Sequence, residues 1–108
     1  MLKKILDLKT LERKIKILKK RQKKIVLCHG VFDLLHVGHI KHLKKAKDLG
    51  NILVVTLTPD IYVNKGPGRP LFNQNLRSES LAALSSVDFV SINNNSTAAN
   101  IIRKIKPN

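Results

Sequence analysis

The run Ile52-Leu53-Val54-Val55-Thr56-Leu57 constrains the fold more than any other stretch of the chain. It is apolar and β-branched and lacks the alternation of a half-solvated strand, so it predicts a strand covered on both faces. Upstream, Ile25-Val26-Leu27-Cys28 predicts another strand. Between the two, residues 37–49 predict a helix that stops in a left-handed turn at Gly50-Asn51. A strand, a helix and a strand in so short a span make a βαβ unit with a parallel sheet.

The pattern continues downstream. Thr58-Pro59-Asp60 closes the second strand, and Asn64-Lys65-Gly66-Pro67-Gly68-Arg69-Pro70 is too rich in Gly and Pro for regular structure. Asn73 or Asn75 can cap a helix over residues 74–85 whose apolar side includes Leu76, Leu81 and Leu84. Residues 87–92 predict a third strand, and Ser96 or Thr97 caps a last helix over residues 98–106. The fold class is therefore α/β, a Rossmann-like three-layer α/β/α arrangement on a parallel sheet. Three strands are few beside the usual five or six. The chain stops where a further strand would follow, so the expectation is a domain truncated at its C-terminus.

Residues 1–24 differ in character. Leu2, Ile5, Leu6, Leu8, Leu11, Ile15, Ile17 and Leu18 recur at roughly helical spacing among basic residues. This predicts an amphipathic helix, or two short ones broken near Thr10, with Thr10 capping a helix from Leu11. The segment holds eleven Lys or Arg against Asp7 and Glu12, so most of the chain's formal net charge of +14 lies here. Two parts follow, a basic helical segment over 1–24 and a domain over 25–108. Charge alone invites nucleic acid, but aromatic residues able to stack on bases make up only 4% of the chain, so no nucleic-acid partner is expected. No apolar run approaches the roughly 18–20 residues of a membrane span, and the N-terminus lacks the apolar core of a secretory signal. No membrane partner and a cytoplasmic location are the expectations. The single cysteine, Cys28, cannot form an internal disulfide and reads as an inert core residue.

Chemistry concentrates between the first strand and its helix, in His29-Gly30-Val31-Phe32-Asp33-Leu34-Leu35-His36-Val37-Gly38-His39. The N-terminus of a helix has unpaired N–H groups and a favourable dipole for anions. His36 and His39, three apart, face the same way there and can both donate to phosphoryl oxygens. Gly38 lets a phosphate approach the backbone, and Gly30 permits a tight bend. Ligands bind beyond the carboxyl ends of parallel strands, which is where the Lys65 and Arg69 loop also falls. Asp33 can hold the turn by bonding backbone N–H groups. His29 lies outside the pattern and can line the site, while His42, Lys44 and Lys45 read as surface residues of the helix. No set of metal-ligating residues stands out.

Gly30-Val31-Phe32-Asp33-Leu34-Leu35-His36-Val37-Gly38-His39 resembles the G-x-F-D-x-x-H-x-G-H signature of the cytidylyltransferase-like nucleotidyltransferases. The likeness extends over about residues 8–107. Leu8-Lys9-Thr10-Leu11 and Lys65-Gly66-Pro67-Gly68-Arg69-Pro70 are most similar to the adenylyltransferase domain of the bifunctional heptose-phosphate enzymes, with glycerol-3-phosphate cytidylyltransferases next. The resemblance implies transfer of AMP or CMP from ATP or CTP to a sugar-phosphate or polyol-phosphate, with release of pyrophosphate and with Mg2+ carried by the nucleotide. It implies catalytic roles for His36, His39 and Lys65. It implies nucleotide or phosphate contacts for Gly30, Val31, Phe32, Asp33, Gly38, Arg69 and Arg77, and for Asp33 an anchor for magnesium through water as the alternative to holding the turn. Dimers are common in the family, so a homodimer is an expectation of the resemblance alone. The family's second phosphate element, which opens a later helix, is missing here. The alternative is therefore a non-catalytic nucleotide-binding fragment.

Overall fold

The computed structural model describes residues 2–63, 72–93, 102 and 107. Among them, α1 (Leu8–Lys20), β1 (Ile25–Gly30), α2 (Val37–Asp48), β2 (Ile52–Leu57), α3 (Gln74–Ala82) and β3 (Phe89–Ile92) follow in chain order. The sheet runs β1-β2-β3 and both pairings are parallel, from Ile25 opposite Ile52 to Gly30 opposite Leu57 and from Val54 opposite Phe89 to Leu57 opposite Ile92. The predicted Lys65 and Arg69 loop and the helix expected over 98–106 lie outside the described residues.

Side-chain alternation along each strand builds the three layers. Ile25, Val54 and half-buried Leu27 and Phe89 meet Leu11 and Ile15 of α1 on one face. Leu53, Val55, Leu57 and Val90 meet Leu43 and Ala46 of α2 and Leu81 and Ala82 of α3 on the other. The run at 52–57 is continuous in sequence because β2 is central: from Leu53 onward it is buried on both faces. Half-buried β1 is an edge strand of the described sheet, and burial raises the pKa of the Cys28 thiol, which favours its protonated form.

The first helix forms one turn earlier than predicted. Asp7, not Thr10, is its cap: the Asp7 carboxylate accepts the Thr10 N–H at 2.7 Å, and hydrogen bonding from the Thr10 side chain, then from its backbone, holds the Asp7 pKa below the usual carboxylate value. Thr10 is the group being capped, because an ionised carboxylate is a stronger acceptor than a hydroxyl. The break falls at residues 5–7 instead, where Ile5 bridges Val90 in parallel and the Leu6 N–H donates to the Val90 carbonyl at 2.9 Å. The basic segment is thus a layer of the same fold.

The stop at Gly50 also differs in kind. Gly50 is not left-handed; a β-carbon there would lie 2.8 Å from Val26 Cγ2 and 2.9 Å from the Lys24 carbonyl oxygen, so the residue is small for close packing. The adjacent Asn51 side chain accepts the Lys24 N–H at 2.8 Å and ties the end of α2 to the start of β1. In α3, Asn73 is the cap, accepting the Leu76 N–H at 2.9 Å, while Leu76, expected on the apolar side, is 48% exposed.

Leu11 is fully buried and Ile17, on the outer side of the same helix, is 53% exposed. Leu11→Ala should cost about 2–5 kcal/mol in urea denaturation, and Ile17→Ala should stay within about 0.5 kcal/mol of the parent.

Candidate active site

The carboxyl end of β1 turns through a strained residue. Phe32 has φ 51, a left-handed conformation that costs a non-glycine residue on the order of 1–3 kcal/mol. Gly30 does not supply the bend that its sequence suggested. It supplies room, since a β-carbon at Gly30 would stand 2.9 Å from Cε2 of the Phe32 ring. The ring in turn meets His39 edge-on, with centroids 5.9 Å apart.

His36 and His39 close a reciprocal cap over the start of α2. His36 is the N-cap residue in extended backbone, and its Nδ1 accepts the Gly38 N–H at 3.0 Å. His39 Nδ1 accepts the His36 N–H at 3.3 Å, and the two rings lie 4.1 Å apart between centroids. A backbone N–H can only donate, so both Nδ1 atoms are acceptors and each neutral ring carries its proton on Nε2. The cap therefore fixes the tautomers and brings both imidazoles together at a helix N-terminus, where anions are favoured. Gly38 belongs to the same unit: a β-carbon there would lie 2.7 Å from His36 Cε1. The space it leaves is filled by the His36 ring.

Arg77 departs from its expected role as a phosphate contact. Its side chain is 0% exposed, Nη1 donates to the carbonyls of Val31 and Thr58 at 2.8 Å each, Nε donates to the Phe72 carbonyl at 3.1 Å, and Nη2 pairs with Asp60 at 2.7 Å. A guanidinium without access to water must satisfy its donors inside the protein, and here it does so by lacing together the loops after β1 and β2 and the entry to α3. Asp33 is 8% exposed and its Oδ1 accepts the Phe72 N–H at 2.9 Å, a tie to a residue 39 positions along the chain rather than within its own turn. Gln74 adds another tie, accepting the Asp60 N–H at 3.1 Å. No spacing rule links Thr58, Asp60, Phe72 and Gln74 to the histidines, so sequence reasoning missed these braces.

His29 sits at the end of β1, half-buried, with Nδ1 2.8 Å from Thr56 Oγ1 and Nε2 3.5 Å from Thr58 Oγ1. Burial pulls its pKa below the ordinary histidine value. His42, Lys44 and Lys45 are exposed on α2, as their positions suggested. Lys65 and Arg69 lie outside the described residues, and no group of three or more His, Cys, Asp or Glu among the described residues is arranged to hold a metal.

Comparison with known families matches residues 27–108 to the cytidylyltransferase-like model. Among curated proteins, the chain is similar to the bifunctional protein HldE of Syntrophotalea carbinolica, at 41% identity over 86% of this chain and 19% of that protein. The HldE proteins of Geobacter metallireducens and Campylobacter concisus are 47% and 45% identical, over 82% and 93% of this chain and 19% and 22% of theirs. The chain thus spans about a fifth of the length of these relatives. It also resembles the crystal structure of a lipopolysaccharide core biosynthesis protein from Thermoplasma volcanium, with a TM-score of 0.72 and 33% identity, covering 79% of this chain and 70% of that one.

Two outcomes test this geometry. Arg77→Ala strands Asp60 and three carbonyls and should cost about 3–5 kcal/mol by urea denaturation; Arg77→Lys should recover less than half, since an ammonium cannot reach four acceptors in a planar fork. The His29 linkage has a definite sign. A histidine whose folded pKa is depressed binds fewer protons folded than unfolded, so its contribution to stability is lost as pH falls below about 6.5. Between pH 7 and pH 5, thermal melts of His29→Asn should therefore fall less steeply than those of the parent.

Proposed function

Because the chain belongs to the cytidylyltransferase-like family, we propose that it transfers AMP or CMP from ATP or CTP to a sugar-phosphate or polyol-phosphate. In this reaction an acceptor phosphate oxygen attacks the α-phosphorus, a new P–O bond forms, the α–β bridging bond breaks, and pyrophosphate leaves with the electron pair. Several anionic groups meet, so the protein's task is to position them and offset their charge. The observation that carries the reading is the reciprocal His36-Gly38-His39 cap, which fixes both Nε2–H tautomers at a helix N-terminus.

In the proposed mechanism the two imidazoles donate to triphosphate oxygens and stabilise charge that grows on the α-phosphate and the departing pyrophosphate. Val31, Phe32, Gly30 and Gly38 shape the backbone along the nucleotide, and Asp33 and Arg77 hold that backbone from below. Lys65 and Arg69 are carried by the family resemblance as further phosphate contacts. Mg2+ would offset charge on the triphosphate, and Asp33, already accepting the Phe72 N–H, would hold it only through water.

The acceptor class draws on two supports. One is the resemblance of the Lys65-Gly66-Pro67-Gly68-Arg69-Pro70 segment to heptose-phosphate enzymes. The other is the similarity to a protein of lipopolysaccharide core biosynthesis. A cytoplasmic location and a homodimer are part of the same reading; among the described residues no helix is long and apolar enough to cross a membrane. The second reading is a chain that binds nucleotide without turnover.

Pyrophosphate release should appear with ATP or CTP in the presence of a hexose 1-phosphate, a heptose phosphate or glycerol 3-phosphate, and His39→Ala should lower it about 10²–10³-fold. Unchanged turnover in that variant refutes the role of the pair. Calorimetric binding of ATP or CTP with no pyrophosphate from any acceptor selects the non-catalytic fragment instead.

A further inference from the structure

His29 is used neither by the histidine cap nor by the Arg77 brace. Its register partner is Thr56, and the alternation of β1 places it with Ile25 and Leu27 on the α1 face of the sheet. The helix that carries His36 and His39 lies on the other face, where Leu43 and Ala46 pack. The two sets of imidazoles therefore flank the end of β1 from opposite sides. α1 packs on this face through Leu11 and Ile15 against Ile25 and Val54, toward the start of β1. It remains half-exposed one residue before Gly30.

The ring is held more firmly at one end than at the other. Nδ1 meets the fully buried Thr56 hydroxyl at 2.8 Å, a full-strength contact. Nε2 is 3.5 Å from Thr58 Oγ1, at the outer limit of a hydrogen bond, and that hydroxyl also stands 3.5 Å from the Gly30 carbonyl. An anchored inner nitrogen and a weakly engaged outer one, at the carboxyl edge of a parallel strand, make a ring oriented to read a ligand.

We propose that His29 is a specificity-determining residue whose Nε2 hydrogen-bonds a hydroxyl of the acceptor, on the side of β1 opposite the triphosphate. This rests on the nucleotidyl-transfer reading, and it assigns the sugar or polyol part of the acceptor to the α1 face. Burial keeps the ring neutral near pH 7, and a neutral imidazole offers one hydrogen bond without charge, which suits a hydroxyl better than a phosphate.

The test uses the full chain labelled with 15N-histidine, titrated separately with ATP, CTP, mannose 1-phosphate and glycerol 3-phosphate, together with two variants. Asparagine retains a polar atom near Nδ1 and so keeps the Thr56 contact, whereas glutamine reaches the position of Nε2. The expected result is that at least one of the two acceptor phosphates moves the His29 Nε2 resonance. His29→Asn should then weaken that acceptor at least tenfold with nucleotide affinity changed less than twofold, and His29→Gln should recover to within about threefold of the parent. A His29 resonance unmoved by both acceptors, or parental acceptor affinity in His29→Asn, overturns the proposal and leaves His29 as a packing residue. Failure of ATP and CTP to bind at all refutes the nucleotidyl-transfer reading, and it registers in arms separate from the acceptor titrations.

Discussion

The edge that forms the candidate site depends on one buried cation. The Arg77 guanidinium has no contact with solvent, and a charge in that position is tolerated only when its donors are met by well-placed acceptors. The acceptors come from three separate stretches, Val31 after β1, Thr58 and Asp60 after β2, and Phe72 before α3. Apart from a single 3-10 turn at Asp60–Tyr62, these stretches have no regular structure of their own to hold them at the sheet edge. The cation stabilises their mutual placement because releasing any one leaves a donor unsatisfied. Asp33 reinforces the same junction by accepting the Phe72 N–H, so Phe72 is tied to the loop that precedes the histidines through its N–H and to Arg77 through its carbonyl.

On that fixed base, the turn from β1 to α2 can hold a conformation that it would not adopt alone. The left-handed Phe32 is disfavoured locally, and its ring fits only because Gly30 has no side chain. The two glycines thus have parallel roles. Gly30 accommodates the ring of Phe32 and Gly38 accommodates the ring of His36, each at a separation that a β-carbon would close below 3.0 Å. In both cases the benefit is placement of an aromatic ring near His39, which contacts Phe32 and His36 alike.

How much of this is legible in the chain depends on whether the cause is local. The buried run at 52–57 and the histidine–glycine spacing at 36–39 are local patterns, and strand, helix and cap follow from them directly. Gly50 is harder, because its smallness answers to Val26 and Lys24 some 25 residues away; local rules then suggest a left-handed stop that does not occur. Arg77 is harder still. A basic residue near a helix start at the ligand edge suits a phosphate contact by every local criterion, and only the convergence of carbonyls from positions 31, 58 and 72 turns it into a brace. The competition between Asp7 and Thr10 for the cap of α1 is a milder case, decided by the strength of an ionised acceptor over a hydroxyl.

The distribution of charge bears on how an anionic substrate would be held. The formal net charge is +14, and the basic excess of residues 1–24 is carried largely by exposed side chains of α1 and its flanks, on the face of the sheet opposite α2. Charges separated by more than about 8 Å of solvent are largely screened at physiological ionic strength. That excess can raise the rate at which anions arrive, but it cannot hold a phosphate at the start of α2. In the proposed reading the holding falls to short-range donors, above all the imidazoles whose tautomers the cap fixes. Such donors are directional, so they would distinguish the geometry of a reacting α-phosphate from that of a bound one, which a diffuse positive field cannot do.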